Sequence, residues 1–251
     1  MCYDAEAQLR SQLKRAERLG QSPEDIAYIK ELLKIYDSYY HVSGYSHPEL
    51  MVYTSDDPFR PIPMKWGLIP HWTKSLKDGL KFWNNTLNCR SETMFEKASF
   101  RSSAYKQRCL ISVDGFYEHH HSNGKTYPFH IGMANKQPFY LGGLWSEWLD
   151  KETGELIKTF TIITTKGNAL MQKIHNNPKL QEARMPLILA EEVADKWLDS
   201  NLSKAEVQAL MLPFDTGQMH AYTVGKLRGK NYIGNIEAVK EEVVYGEVQI
   251  I

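Results

Sequence analysis

Apolar residues along the chain fall first at helical spacing and later at strand spacing, with the change near residue 44. Between residues 5 and 19 the apolar positions Ala5, Leu9, Leu13 and Ala16 recur three and four apart, and Gly20 supplies a stop, which predicts an amphipathic helix. Ser22-Pro23-Glu24-Asp25 then offers an N-cap with proline at the first helical position, and Ile26, Ile29, Leu33 and Tyr36 carry a second stripe. Together they predict a helical hairpin over residues 5–40, either a packing element or a lid. Beyond Gly44, runs at 50–54, 109–113, 139–144 and 156–164 read as strands. Ser122-Asn123-Gly124-Lys125 is a two-residue hairpin turn, and residues 150–154 form a second turn. Helical patterns return at 167–174, 191–200 and 203–210. Helices, then a mainly antiparallel strand region, then mixed elements describe an α+β protein and not a βαβ array. No repeat, low-complexity tract or flexible linker divides residues 1–251, so one domain is expected.

Composition narrows the class. Of 251 residues 42% are apolar and 12% aromatic, enough for a buried core. Three cysteines (Cys2, Cys89, Cys109), with no CxxC pair, argue against a disulfide framework and against a thiolate zinc site; no metal or cofactor is expected. Asp4, Glu6, Arg10, Lys14 and Arg15 interrupt any signal-peptide run, and no stretch nears the ~20 apolar residues of a membrane span. A cytoplasmic protein, away from membranes, is expected; without a heptad seam, it is expected to be a monomer.

The charge is zero overall but uneven. Ten Lys or Arg residues lie from Arg60 to Arg108, Arg90 and Arg101 among them, against Asp78, Glu92 and Glu96 alone. Trp66, Trp72, Phe82 and Trp83 are interleaved. Cations for phosphates beside aromatic faces for unstacked bases suit single-stranded nucleic acid.

Four stretches could carry chemistry. Removal of Met1 ahead of a small residue would leave Cys2 with a free amine and thiol on adjacent carbons. Such an aminothiol condenses with an aldehyde to an imine and closes to a thiazolidine, and an α-amine pKa of roughly 7.7–8.0 leaves a reactive fraction near neutrality. Asn84-Asn85-Thr86-Leu87-Asn88-Cys89-Arg90-Ser91-Glu92 packs amides, a guanidinium and a carboxylate into one turn. Asp114-Gly115-Phe116-Tyr117-Glu118 follows an apolar strand, so Glu118 is expected beside a core with its pKa raised, fit to shuttle a proton. His175-Asn176-Asn177 follows a helix, and Arg184-Met185-Pro186 closes the loop. Each also has a structural reading: Asn88 as a turn residue, Glu118 as the ion-pair partner of Arg90 or Arg184, His175 as a helix C-terminal residue. His119-His120-His121 reads as a solvated hairpin arm, since strand neighbours face opposite ways.

In order, Met1-Cys2, Trp66-Gly67-Leu68-Ile69-Pro70-His71-Trp72, Asn88-Cys89-Arg90-Ser91-Glu92-Thr93, Arg108-Cys109 with Asp114 to Glu118, and His175 with Arg184-Met185-Pro186 resemble the SOS-response-associated peptidase (SRAP) family. The resemblance spans roughly residues 40–225 plus the terminus. It implies one SRAP-like domain, α+β, with a barrel-like strand region, flanking helices and the helical hairpin as an insertion. It implies a response to DNA damage in which Cys2 forms a thiazolidine with an abasic site in single-stranded DNA, shielding the lesion. A self-processing peptidase or a lyase side activity can accompany it. Cys2 matches the nucleophile, Asn88 the amide orienting the terminus, Glu118 the acid/base and His175 the aid to sugar ring opening. Arg90 and Arg184 match phosphate-holding arginines, and Trp66, Trp72 and Arg101 belong to the expected DNA surface. The departures are Tyr3-Asp4 where the family has Gly-Arg, which takes away a cation for phosphate, and extra residues 176–183 between His175 and Arg184. Two other classes stay open: an N-terminal-nucleophile cysteine amidohydrolase, and a single-stranded DNA-binding module without chemistry.

Overall fold

The computed structural model describes residues 2–248; Met1 and the side chain of Leu9 lie outside the described residues. In chain order the elements are β1 (Asp4–Ala7), α1 (Leu9–Arg18), α2 (Pro23–Ile35), β2 (Tyr39–Ser43), β3 (Glu49–Thr54), β4 (Ile62–Trp66), α3 (Leu76–Trp83), β5 (Asn88–Arg90), α4 (Arg101–Lys106), β6 (Arg108–Val113), β7 (Gly115–Ser122), β8 (Lys125–Met133), β9 (Phe139–Leu149), β10 (Leu156–Lys166), α5 (Ala169–Ile174), β11 (Arg184–Pro186), β12 (Ile188–Leu189), α6 (Glu191–Leu198), α7 (Lys204–Leu210) and β13 (Met219–Thr223).

Five strands close into a barrel in the order β10-β4-β3-β6-β9, with β9 pairing back onto β10. The β4–β10 pair is parallel and the other four are antiparallel. Closure removes the exposed edges that an open sheet would present. It also explains a glycine in mid-strand: a Cβ on Gly143 would lie 2.7 Å from both Ile111 Cδ1 and the Thr161 carbonyl oxygen. The short strand β5 lies parallel to β10, so Asn88 sits opposite Ile162.

A second, antiparallel sheet has the order β13-β8-β7-β1-β2. Its inner face contributes Ala5, Val42, Phe116, Phe129 and Ile131 to one apolar cluster with Val52, Trp66, Ile111, Phe160 and Ile162 of the barrel; Cys2 joins it from just ahead of β1. The outer face buries Asp4, Glu6, His41, Tyr117 and His130. Across it runs a strap, residues 224–242, anchored by Val224, Leu227 and Val239 against Tyr117. The β7–β8 hairpin turns at Asn123 and Gly124 with φ of 50° and 73°, the left-handed pair an Asn-Gly turn supplies.

The helical hairpin is present, but it begins later than the spacing predicts. Residues 4–7 are a strand with both edges paired, to β2 and to β7, and this two-sided ladder outweighs their helical periodicity. The buried face of α1 is also polar where an apolar stripe was expected: Ser11, Gln12 and Arg15 are buried beside Ala16. Asp114 holds the start of the helix, accepting from Gln8 N at 2.8 Å and from the Ser11 hydroxyl. The Arg15 guanidinium lies 4.0 Å above the Tyr53 ring and donates to the Tyr140 hydroxyl at 3.0 Å. Ser22 caps α2 through Asp25 N, with Pro23 at its first turn. No helix among the described residues is long and apolar enough to cross a membrane.

Candidate active site

Cys2 is presented by β1, which enters the sheet between β2 and β7. One residue back from the Asp4↔Ser43 pair, the Tyr3 carbonyl accepts from Gly44 N at 2.7 Å. Gly44 packs closely there: a Cβ would lie 3.1 Å from the Trp66 ring, tighter than an ordinary contact. From the barrel side Asn88, the first residue of β5, donates its Nδ2 to the Cys2 carbonyl oxygen at 2.8 Å. Its Oδ1 is buried with no hydrogen-bond partner among the described residues. Cys2 has no exposed surface, and burial, reinforced by the Glu118 carboxylate, pushes its thiol well above the ordinary range.

Glu118 stands on β7 one residue beyond Tyr117, the partner of Asp4, and so arrives beside the residues preceding β1. It is buried, and desolvation raises its carboxyl from the ordinary value near 4.5 to about 7. His175 ends α5, with Nε2 3.8 Å from Glu118 Oε2. Its Nδ1 accepts from Arg184 N at 2.9 Å, which assigns the neutral ring's proton to Nε2, on the Glu118 side. Burial, with His121 and Arg184 adding, lowers His175 to about 3, so the ring is neutral throughout the physiological range. These groups border an open cavity of about 520 Å³ whose lining includes Tyr3, Glu118, His175, Leu180, Lys226 and Arg228.

Arg90 and Arg184 meet in a charge cluster beside this loop. Arg184 is buried and fully engaged: it holds both oxygens of Glu92 at 3.0 and 2.9 Å, and donates to the Thr164 carbonyl at 2.7 Å. In the DNA-free protein these contacts brace the barrel end. Arg90 is half exposed, and a single Glu182 oxygen bridges the two guanidinia, 2.7 Å from Arg90 and 2.8 Å from Arg184. Trp66 is fully buried, its Nε1 donating to the Leu87 carbonyl at 2.8 Å, so it offers no face to a base and is core, contrary to expectation. Trp72 is 45% exposed and donates to the Ala98 carbonyl; Arg101 is exposed at the start of α4. Neither of these two lines the cavity.

The triple histidine is half-buried rather than solvated. His119 and His121 line the cavity, and desolvation lowers His119 to about 4. No group of three potential metal ligands occurs among the described residues. Three participants are not apparent from the sequence motifs. Asp4, the acid beside the terminus, is buried on the outer face and held by Arg228 at 2.7 Å and His41 at 3.3 Å. Arg228 and Lys226 both line the cavity from the strap. Their only local signal is the alternation Lys226-Leu227-Arg228-Gly229-Lys230, far from the basic stretch between Arg60 and Arg108.

The family model described as SOS response associated peptidase (SRAP) matches residues 4–230. This chain belongs to the SRAP family. Over 166 residues it is 40% identical to abasic site processing protein YoqW of Bacillus subtilis (strain 168), covering 65% of this chain and 69% of the relative. It is 36% identical over 155 residues to abasic site processing protein HMCES of Xenopus tropicalis, covering 54% and 44%. A crystal structure of a protein from Bacteroides thetaiotaomicron superposes with a TM-score of 0.83 at 34% identity, over 97% of this chain and all of that one. The SRAP fold, with its closed barrel, is therefore the fold of this chain.

Proposed function

We propose that this protein handles abasic sites in single-stranded DNA by linking covalently to them through Cys2 once Met1 is removed. The observation that carries the reading is that Cys2, held by Asn88, is buried within the field of the Glu118 carboxylate, while Glu118 and His175 line one cavity and Glu118 titrates near neutrality. The relatives' names, abasic site processing protein, point to the same substrate.

The buried thiol is held in its neutral form, so the amine acts first. The neutral ring of His175, proton on Nε2, hydrogen-bonds the sugar oxygen as the closed form opens to the aldehyde. Such a ring donates a hydrogen bond and not a proton, which moves the proton-transfer work expected of His175 onto Glu118. The Cys2 amine attacks the aldehyde carbon; Glu118 accepts its proton and returns it to the departing hydroxyl, giving an imine and water. The thiol then adds across the C=N bond, sulfur to carbon and proton to nitrogen, closing the thiazolidine. Asn88 orients the terminus: its Nδ2 holds the Cys2 carbonyl, and its Oδ1, buried without a partner among the described residues, accepts from the freed Cys2 amine. Arg90 and the exposed Trp72 and Arg101 serve the flanking strand. A self-processing peptidase step would draw on the same cysteine, and a cytoplasmic, damage-linked role fits the reading.

Intact mass spectrometry tests it directly. The purified protein is expected to lack Met1 and, with an oligonucleotide bearing one abasic site, to gain the oligonucleotide mass less one water. Cys2→Ala is expected to abolish the heat-stable adduct while leaving transient imine formation. A heat-stable adduct with Cys2→Ala, or none with the processed wild type, would overturn the mechanism; turnover of acyl substrates without DNA would favour the amidohydrolase.

A further inference from the structure

The strap contributes a row of cations to the mouth of the cavity that the reaction does not use. Between Asp215 and Glu237 the chain has no acidic residue, and Lys226, Arg228 and Lys230 alternate there with Leu227 and Gly229. Leu227 is buried against the outer face of the second sheet, and this anchor holds the bending segment in place. Lys226 and Arg228 line the cavity that Glu118 and His175 also line, and Lys230 follows as an exposed residue. The loop carrying Asn177 and Leu180 forms a separate part of that lining, so the strap is an element distinct from the Arg90 cluster.

Arg228 has capacity to spare. Asp4 takes only its Nη2, at 3.0 and 2.7 Å; Nε and Nη1 have no hydrogen-bond partner among the described residues, and the side chain is 54% exposed. Lys226 is steadied by the Thr126 carbonyl and lies 5.4 Å above the Tyr127 ring, so its ammonium is positioned and not a freely swinging charge. A guanidinium with unpaired N–H donors between two ammonium groups, on a segment that bends at residues 227–229 and turns at Lys230, suits neighbouring phosphates of a flexible strand.

We propose that Lys226, Arg228 and Lys230 form a second phosphate-binding element that holds the DNA backbone at the cavity, with Arg228 tying that backbone to the strand that presents Cys2. The proposal rests on the reading of the cavity as a DNA site. The Asp4–Arg228 pair makes the link: one side chain contacts both a buried carboxylate two residues from Cys2 and the solvent-facing mouth. The cation that Tyr3-Asp4 does not provide beside the terminus is thereby supplied from the other end of the chain.

The test is the salt dependence of binding to an unmodified single-stranded oligonucleotide, which requires no covalent step. Lys226→Gln with Lys230→Gln leaves Arg228 on Asp4, and glutamine can still donate to Thr126. Without these two ammonium groups the slope of log affinity against log salt is expected to flatten by about 1.4, at roughly 0.7 per phosphate. A charge-matched control, Lys34→Gln with Lys158→Gln, removes two surface cations that lie elsewhere in ion pairs with Glu31 and Glu147. A slope change confined to the strap variant supports the proposal; equal slopes in the two variants overturn it. Adduct formation by the strap variant at saturating DNA separates the two claims. A retained adduct with weakened, less salt-dependent binding supports the strap and leaves the reaction standing. A wild type that fails to bind single strands overturns both.

Discussion

At the scale of the residue, Glu118 is where stability and chemistry pull apart. Burial costs its charged form, so its folded pKa of about 7 lies above the unfolded value near 4.5. A raised pKa means the stabilising contribution is complete below about 4.5 and is lost as pH rises through about 7. Glu118→Gln, neutral at every pH, is therefore expected to unfold later than wild type at alkaline pH. The difference is on the order of 2–3 kcal/mol and shrinks to little at acid pH, as urea titrations would measure. The same substitution should slow adduct formation by about 10²-fold or more. The wild-type reaction needs both a neutral amine and an ionised Glu118, so the log rate should climb with a slope of about 2 below neutrality. The glutamine variant should climb with a slope of about 1. His175, lowered to about 3, should add no inflection above that range. An unchanged slope in Glu118→Gln would remove Glu118 from the proton path.

At the scale of the element, the loop between His175 and Arg184 sets how available Arg90 is. Glu182 on that loop places one oxygen between two guanidinia where a phosphate oxygen could also sit, and its side chain is open to solvent. Glu182→Gln is expected to tighten binding of single-stranded DNA, and Arg90→Ala should abolish the gain; a gain that persists without Arg90 would be a general charge effect. Much of this region is legible in the residues themselves. The Asn-Gly turn, the Ser22-Pro23 helix start and the apolar strand before Glu118 are local signals, and the structure has the corresponding elements. What stays hidden depends on pairing. Residues 5–7 read as helix because nothing local reveals that β2 and β7 flank them. Trp66 reads as a DNA face because one aromatic gives no sign of which way the closed barrel turns it. The polar buried face of α1 is intelligible only through Asp114 and Tyr140, more than a hundred residues away. Among the described residues, none that lines the cavity comes from the α1–α2 hairpin, which favours packing over a lid.

At the scale of the whole molecule, the two ends of the chain are fastened together across the outer face of the second sheet. Asp4 pairs with Arg228 and His41, and Glu6 pairs with Lys240 at 3.0 Å and His130 at 2.6 Å; the Tyr232 hydroxyl meets His41 Nδ1 at 2.8 Å. Burial alone would raise both carboxyls. The histidine hydrogen bonds and the Arg228 and Lys240 charges outweigh it, and both end below their ordinary values of 3.8 and 4.5. Depressed pKa values give stability that is complete above those ordinary values and is lost as pH falls through the lower, folded ones. Glu118 acts in the opposite sense, its burial becoming less costly as pH falls from about 7 towards 4.5. Acid below the ordinary values of Asp4 and Glu6 should therefore loosen the strap, which their carboxylates hold, ahead of the barrel, which they do not touch. Hydrogen exchange followed by mass spectrometry from about pH 6 to about pH 3 should show residues 226–240 losing protection before the strands of the barrel. Glu6→Gln should bring that opening on at higher pH, because Lys240 then has no carboxylate to hold. Loss of protection everywhere in one step would mean that the strap is no separate unit. In that case the coupling between the far end of the chain and the strand that presents Cys2 would be part of global folding alone.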